Sequence, residues 1–232
     1  MELEFLDVRV KRDSFCIRGS GAFAPGIHLV SGRVGSGKTT LAMVAAGLEE
    51  PNSGSIKRLG IDSVMLSMQF PEQHLTGSTL ESEIASWHLQ PQTVLSQAGL
   101  SGRARDDPFS LSRGELKRLH LACIFSRRFD LLILDEPFSA LDCREKIITA
   151  ESIDRIQGGI TIIFTHENQH LPKVNYLWEI QEGELVFLGR VPDALCRWKN
   201  KPAVLAELHE RGIFPENVST RDILEAACRM QG

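Results

Sequence analysis

The stretch Gly32-Arg33-Val34-Gly35-Ser36-Gly37-Lys38-Thr39-Thr40 decides the fold. Up to Thr39 it matches G-x-x-x-x-G-K-[ST], in which glycines let successive backbone N–H groups point at one phosphate. A short apolar segment at 26–30 precedes the loop as a predicted strand, and an apolar segment at 40–48 follows it as a predicted helix, whose dipole favours an anion. We therefore expect the whole stretch to bind the phosphates of a nucleotide. Lys38 would reach the β- and γ-phosphates, and the Thr39 hydroxyl would bind Mg²⁺.

Two acids, Asp135 and Glu136, follow the apolar segment 129–134, which we predict as a buried strand. In a phosphate-loop enzyme an acid at the end of such a strand holds Mg²⁺ through water, and this position is Asp135. Glu136 is placed to orient or deprotonate the attacking water. The alternative is an acidic pair exposed at a strand end without a catalytic role. The phosphate loop upstream favours the catalytic interpretation.

Composition and charge narrow the class of protein. The chain has 232 residues, of which 42% are hydrophobic and 24% charged, as in ordinary globular proteins. A formal net charge of -4 gives no bulk electrostatic reason for nucleic-acid binding. The five scattered cysteines fit a reducing compartment, and the N-terminus does not resemble a signal peptide. No window is long and apolar enough to cross a bilayer, so we expect any membrane crossing to be made by another protein.

The order of elements predicts an α/β fold of the P-loop NTPase type. Predicted strands at 61–69 and 159–164 alternate with helices at 40–48 and 119–125, which is typical of a parallel sheet. A late hairpin is predicted around Glu182-Gly183. From Asn200 onward the sequence predicts two short helices, so we divide the chain into a domain at 1–199 and a helical tail at 200–232.

Further motifs resemble those of the ATP-binding cassette (ABC) family. Leu111-Ser112-Arg113-Gly114-Glu115 is similar to the family signature LSGGQ, and Ser139-Ala140-Leu141-Asp142 is similar to its D-loop. Thr165-His166 stands where the family has its switch histidine, and Gln69 stands where it has the Q-loop glutamine. Together with the phosphate loop and the acidic pair, these motifs occur in the family order between residues 32 and 166.

This resemblance implies a fold and a mechanism. The fold would be an ABC ATPase core with an antiparallel β subdomain, a short helical subdomain at about 71–118 and the tail. Two chains would sandwich two ATP molecules, each capped by Ser112 and Gly114 of the other chain, with Asp142 reaching across the interface. Gln69 would contact Mg²⁺ and the water, and His166 would hydrogen-bond the γ-phosphate.

Two positions of the signature depart from the family pattern. Arg113 replaces a signature glycine and adds positive charge near a phosphate, whereas Glu115 replaces glutamine and adds negative charge. Upstream of the phosphate loop, where the family has an aromatic residue that stacks on adenine, Phe15 is nearest the expected spacing. Phe15 could equally be a core residue.

The segments 69–75 and 79–84, QFPEQHL and TLESEI, resemble the ATPases of energy-coupling factor importers, which include cobalt, nickel and vitamin importers. The tail also resembles that subgroup, in which it helps to pair two ATPases; a docked helical cap without a partner is the alternative. The resemblance implies transmembrane partner subunits, a homodimer or a heterodimer with a related ATPase, and a peripheral position on the cytoplasmic side of the membrane. Nucleic acid is not expected as a partner.

Other functions remain as alternatives. A non-transport ABC ATPase, of the DNA-repair or regulatory type, would carry a long coiled-coil insertion between Lys38 and Ser112, whereas this chain has a short spacing. A nucleotide-binding regulator that does not hydrolyse ATP is disfavoured by Glu136. The pattern H-E-x-x-H at 166–170 fits a zinc protease only within a helix, and here it directly follows a predicted strand.

Overall fold

A computed structural model describes residues 1–12 and 15–229 of the chain. In this described part, nine strands form one sheet in the order β4-β1-β2-β9-β8-β3-β7-β6-β5. The strands are β1 Glu2–Arg12, β2 Phe15–Phe23, β3 Gly26–Ser31, β4 Ser53–Leu59, β5 Val64–Ser67, β6 Leu131–Asp135, β7 Ile160–Thr165, β8 Tyr176–Gln181 and β9 Glu184–Arg190.

The centre of the sheet is parallel and one side of it is antiparallel. Strand β3 pairs in parallel with β7 and β8, and β7 pairs in parallel with β6. Strand β1 pairs antiparallel with β2 and β4, which forms the antiparallel β subdomain. The α/β fold class is confirmed, because helices connect the parallel strands as such a sheet requires.

The helices are α1 Lys38–Ala46, α2 Leu80–Ser86, α3 Pro91–Gln97, α4 Arg113–Phe125, α5 Cys143–Asp154, α6 Ala203–Glu210 and α7 Thr220–Cys228. Short 3-10 helices occur at Pro71–His74, Pro108–Ser110 and Asp193–Arg197. The tail therefore contains two helices, and its last three residues, 230–232, lie outside the described residues.

Several boundaries differ from the sequence prediction for identifiable reasons. Helix α4 begins at Arg113, well before the predicted 119, because Ser112 caps its N-terminus. The predicted strand at 61–69 is shorter and forms only β5. Strand β4 and helix α5 were not predicted, since β4 is mostly exposed and α5 buries only Thr149, Ala150 and Ile153.

The chain forms two compact units. The first comprises residues 1–66, 129–136 and the chain from 157 onward, and the second comprises 67–128 and 137–156. The second unit contains the predicted helical subdomain, and α2, α3 and α4 enclose its core of Leu80, Ile84, Val94, Leu95, Ala98, Leu100, Leu119 and Cys123. The division between residues 199 and 200 stays a prediction.

Strand register brings the ends of three buried strands together in the first unit. Ser31 at the end of β3 pairs with Thr165 at the end of β7, and Asp135 at the end of β6 pairs with Phe164. Loops that leave the carboxyl edge of a parallel sheet therefore start side by side. None of the helices in the described residues is long and apolar enough to cross a membrane.

Candidate functional site

The phosphate loop joins β3 to α1. Gly35 and Gly37 adopt positive φ values of 78° and 95°, which glycine reaches without a steric penalty. Gly37 is also the N-cap of α1, and no side chain caps the helix there. The first N–H groups of α1 therefore lack a side-chain acceptor, which suits them to bind an anion.

Lys38 folds back over this loop. Its Nζ donates to the carbonyl oxygens of Gly32 at 3.0 Å and of Arg33 at 3.1 Å, and its side chain is only 6% exposed. Among the described atoms, the neighbouring Ser36 Oγ is buried without a hydrogen-bond partner. The loop thus contains a buried ammonium group and an unsatisfied hydroxyl, both able to donate to phosphate oxygens.

Thr39 and Asp135 meet as the sequence predicts for a metal site. Thr39 Oγ1 donates to Asp135 Oδ2 at 2.7 Å, and Asp135 is almost fully buried at the end of β6. A hydroxyl beside a carboxylate supplies the oxygen ligands that Mg²⁺ prefers.

Glu136 connects the phosphate loop to the end of β7. Its carboxylate accepts from Thr165 Oγ1 at 2.9 Å and from the His166 backbone N–H at 3.1 Å, and it lies 3.3 Å from Lys38 Nζ. His166 Nδ1 lies 2.8 Å from Glu136 Oε1. Glu136 also has a φ of 48°, which a residue with a side chain adopts only at a cost. Backbone strain at a buried acid is typical of a functional site.

The structure therefore gathers five predicted residues of the first unit into one cluster: Lys38, Thr39, Asp135, Glu136 and His166. Sequence reasoning missed Thr165, although its position directly before His166 at the end of a buried strand was a usable signal.

Phe15 lies near this cluster, since a Cβ at Gly37 would be 3.0 Å from the Phe15 ring.

The zinc-protease pattern at 166–170 does not lie on a helix, because these residues follow β7 in irregular backbone. In residues 1–12 and 15–229, His, Cys, Asp and Glu side chains form no group of three that could hold a metal ion.

The signature segment lies in the second unit, at the start of α4. Ser112 Oγ accepts from the Glu115 N–H at 3.3 Å, and the Ser112 N–H donates to Glu115 Oε2 at 2.9 Å, which is a capping box. Arg103 Nη1 lies 2.5 Å from Glu115 Oε1. Hydrogen bonds from Ser112 first, and the Arg103 charge second, hold the pKa of Glu115 below its usual range. The negative charge that Glu115 introduces is therefore compensated within the same unit.

Gly114 and Asp142 lie where α4 approaches α5. A Cβ at Gly114 would be 2.9 Å from the Ala140 carbonyl oxygen, so a larger residue would force the two segments apart. Asp142 caps α5 through a capping box with Glu145, and Arg118 of α4 forms an ion pair with Glu145. The signature and the D-loop of one chain are thus linked.

Gln69 follows β5 in backbone that belongs to neither helix nor strand. It borders a pocket of about 180 Å³, together with other residues of the second unit: Phe70, Pro71, Glu72, Arg113, Lys117, Ser139 and Ala140. The roles predicted for Gln69, Ser112, Gly114 and Asp142 remain predictions.

Comparison with known proteins agrees with this geometry. The sequence model described as "ABC transporter" matches residues 23–139. The chain is 33% identical to the energy-coupling factor transporter ATP-binding protein EcfA1 of Thermotoga maritima, across 70% of this chain and 71% of that protein. It is also 33% identical to the aliphatic sulfonates import ATP-binding protein SsuB 1 of Rhodococcus jostii, across 59% of this chain and 60% of that protein.

A solved structure of a metal-chelate type ABC transporter, in an inward-facing conformation, matches the fold. The TM-score is 0.64 at 20% identity, and the match covers 81% of this chain and 82% of that chain. The match to the family model and the similarity to EcfA1 show that the chain belongs to the ABC transporter family. Within that family it is an ATP-binding subunit.

The residues present fit MgATP. The uncapped start of α1, the buried Lys38 ammonium and the unsatisfied Ser36 hydroxyl suit phosphate oxygens. The Thr39 hydroxyl and the Asp135 carboxylate suit Mg²⁺.

Proposed function

We propose that this chain hydrolyses ATP to drive an importer of the energy-coupling factor type that carries a metal ion or a vitamin. One observation carries the hydrolytic part of the proposal: Lys38 contacts Glu136, and the next residue along the chain, Thr39, contacts Asp135. The similarity to EcfA1 supports the importer type. The chain is equally identical to the ATP-binding protein of a sulfonate importer, so the cargo has to be identified through the membrane partner.

The cluster divides the work of hydrolysis among its side chains. Lys38 and the N–H groups of the loop bind the phosphates. Thr39 and Asp135 would hold Mg²⁺, which would supply positive charge next to the phosphoryl group. Because Lys38 is already buried, little of its hydration is lost when phosphate replaces the carbonyl oxygens around it.

Glu136 acts on the attacking water. The water oxygen bonds to the γ-phosphorus, the bond to the β,γ-bridging oxygen breaks, and ADP leaves with that electron pair. Glu136 accepts the proton of the water, and His166 hydrogen-bonds the γ-phosphate. The Glu136 carboxylate already has donors on Thr165 and His166, which keep it in one orientation.

The working form is a dimer, with identical or related chains, bound to transmembrane subunits on the cytoplasmic face of the membrane. Ser112 and Asp142 are exposed, as residues that contact a second chain must be. Ser112 and Gly114 would cap the ATP bound by the partner, and Asp142 would reach across the interface. Gln69 would contact Mg²⁺ and the attacking water. Hydrolysis separates the γ-phosphate from ADP, and once it leaves as free phosphate the charge that joined the two surfaces is gone, so the dimer reopens.

Glu136→Gln tests this proposal, because it keeps the size of the side chain and removes the base. We expect MgATP to convert the variant into a stable dimer on gel filtration, with turnover reduced at least 100-fold. Glu50→Gln, at an exposed position outside the tail, is the matched control and should behave as the original chain. A Glu136→Gln variant that stays monomeric and hydrolyses ATP normally would contradict the proposal.

A pull-down from detergent-solubilised membranes tests the transport role separately. Co-purification of a multispanning membrane protein is expected. Recovery of DNA-associated proteins in its place would favour the non-transport ABC ATPase.

A further inference from the structure

The peptide group of Met68, directly before Gln69, is held from both sides by side chains. Its N–H donates to His74 Nε2 at 3.4 Å, and its carbonyl oxygen accepts from Lys117 Nζ at 3.3 Å. Lys117 Nζ also lies 3.5 Å from the carbonyl oxygen of Gln69. Residues 68–70 belong to no helix or strand, so these side chains take the place of a regular ladder in fixing the backbone.

Lys117 is fixed by its burial. It lies in the second turn of α4 and is only 1% exposed, so its ammonium group must be compensated by acceptors inside the protein. The carbonyl oxygens of Met68 and Gln69 are two of these acceptors. Any shift of α4 therefore changes the position of the Gln69 backbone, or else leaves the ammonium group with fewer acceptors.

The orientation of His74 is fixed by an aromatic stack. Its ring stacks on His120 of α4 with centroids 4.6 Å apart and planes at 26°, and the Trp87 ring meets His120 edge-on. His74 Nε2 accepts a hydrogen bond only when that nitrogen carries no proton. Burial first, and the Lys117 charge second, lower the pKa of His74, whereas Glu83 raises it, and the net shift favours the neutral ring.

We propose that Lys117 and His74 are positioning residues for Gln69, and that they join it to the helix that begins with the signature serine. The inference rests on the proposed contact of Gln69 with Mg²⁺ and the attacking water. Ser112 caps α4 and Lys117 extends from the same helix, so movement at the signature reaches Gln69 through one rigid element. The ATP capped by one chain would thereby adjust the water and the metal in the site of the same chain.

The first test is Lys117→Met, with Lys57→Met as control because Lys57 is an exposed lysine of β4 and the change in charge is the same. We expect Lys117→Met to raise the Mg²⁺ concentration for half-maximal ATP turnover at least fivefold. ATP affinity without Mg²⁺ should stay within twofold, since Lys38 and its loop are intact. An unchanged Mg²⁺ requirement in a folded Lys117→Met protein would overturn the proposal.

A double-mutant cycle with Gln69→Ala separates positioning from general damage. In the Gln69→Ala background, Lys117→Met should cause no further increase in the Mg²⁺ requirement. Equal increases in both backgrounds would mean that Lys117 does not act through Gln69. If Gln69→Ala alone leaves the Mg²⁺ requirement unchanged, then the proposed contact of Gln69 with Mg²⁺ is wrong. This outcome differs from the one that would reject the positioning role of Lys117.

A pair of His74 variants tests the proposal without touching Lys117. His74→Phe keeps a ring to stack on His120 and removes the acceptor, whereas His74→Gln supplies an acceptor oxygen near the place of Nε2. We expect His74→Phe to raise the Mg²⁺ requirement severalfold. In His74→Gln the requirement should lie close to that of the original chain. Equal values for the two variants would argue against the role of His74.

Discussion

Lys38 Nζ lies 3.3 Å from Glu136 Oε1, and both side chains are almost fully buried. Each charge has other partners, since Lys38 donates to the Gly32 and Arg33 carbonyl oxygens and Glu136 accepts from Thr165 and the His166 N–H. The group that we propose to bind phosphate and the group that we propose to act on water therefore neutralise each other. A phosphate that enters must compete with Glu136 for Lys38.

Lys38→Ala should abolish nucleotide binding, because it removes the buried cation at the start of α1. We expect titration calorimetry to show at least a 100-fold loss of ATP affinity, which is about 3 kcal/mol. Lys57→Ala, which removes an exposed lysine, should bind ATP normally. Unchanged affinity of Lys38→Ala would refute the assignment of the phosphate loop.

The same substitution should also weaken the fold without nucleotide. Loss of Lys38 leaves the buried carboxylate of Glu136 with less compensation, which costs about 3 kcal/mol for a broken buried pair. Adding Glu136→Gln should recover much of this loss, so urea unfolding of the two single variants and the double variant forms a cycle. Strictly additive effects would show that the two charges are not coupled.

Glu115 should contribute to stability through the cap of α4 more than to catalysis. Glu115→Ala removes the reciprocal cap with Ser112 and should cost about 1 kcal/mol in urea unfolding. Glu115→Gln retains a side-chain oxygen for the Ser112 N–H, so we expect a smaller loss and ATP turnover within about twofold of the original chain. A large gain in turnover for Glu115→Gln would show that its charge opposes nucleotide binding.

His120→Phe should flatten the dependence of stability on pH. Burial first, and the nearby His74 and Lys117 charges next, lower the pKa of His120 to about 3. The unfolded chain takes up a proton here below its ordinary value of about 6.5 and the folded chain does not, so stability falls as pH falls from about 6.5 towards 3. The loss at pH 5 relative to pH 7 should be smaller in His120→Phe by about 2 kcal/mol, measured by urea unfolding at both pH values.

His120 also tests the cost of an unsatisfied buried nitrogen. Among the described residues, its Nε2 is buried without a hydrogen-bond partner, and a phenyl ring can keep the contacts with His74 and Trp87. At pH 7 we therefore expect His120→Phe to be no less stable than the original chain. A destabilised variant at pH 7 would indicate a partner for this nitrogen.

The sequence predicted the parts of the site that local motifs define. The phosphate loop at 32–40 is flanked by a predicted strand and a predicted helix, and the acidic pair ends another predicted strand. Because both strands belong to a parallel sheet, the two motifs lie together at its carboxyl edge. Thr39 and Asp135 are far apart in the chain, yet they form a 2.7 Å hydrogen bond.

The sequence did not predict contacts between residues that no motif relates. Arg103 compensates Glu115 from a loop before α4, and His74 stacks on His120 although no motif relates the two histidines. Such pairs depend on tertiary packing of short helices, for which neither periodicity nor spacing gives a signal. Helix α5 was missed for a related reason, since it buries only Thr149, Ala150 and Ile153 and its start is evident only once the Asp142 cap is known.

The positive φ of Glu136 means that the backbone would favour glycine at the very position where the proposed mechanism needs a carboxylate. Glu136→Gly would relax the backbone while it removes the base, so it should be more stable than Glu136→Ala although both are inactive. In a duplicated copy of this chain that no longer needed to hydrolyse ATP, the relief of backbone strain would offset part of the cost of leaving Lys38 without this partner. Glycine is therefore the residue that we expect to replace Glu136 once selection for turnover ends.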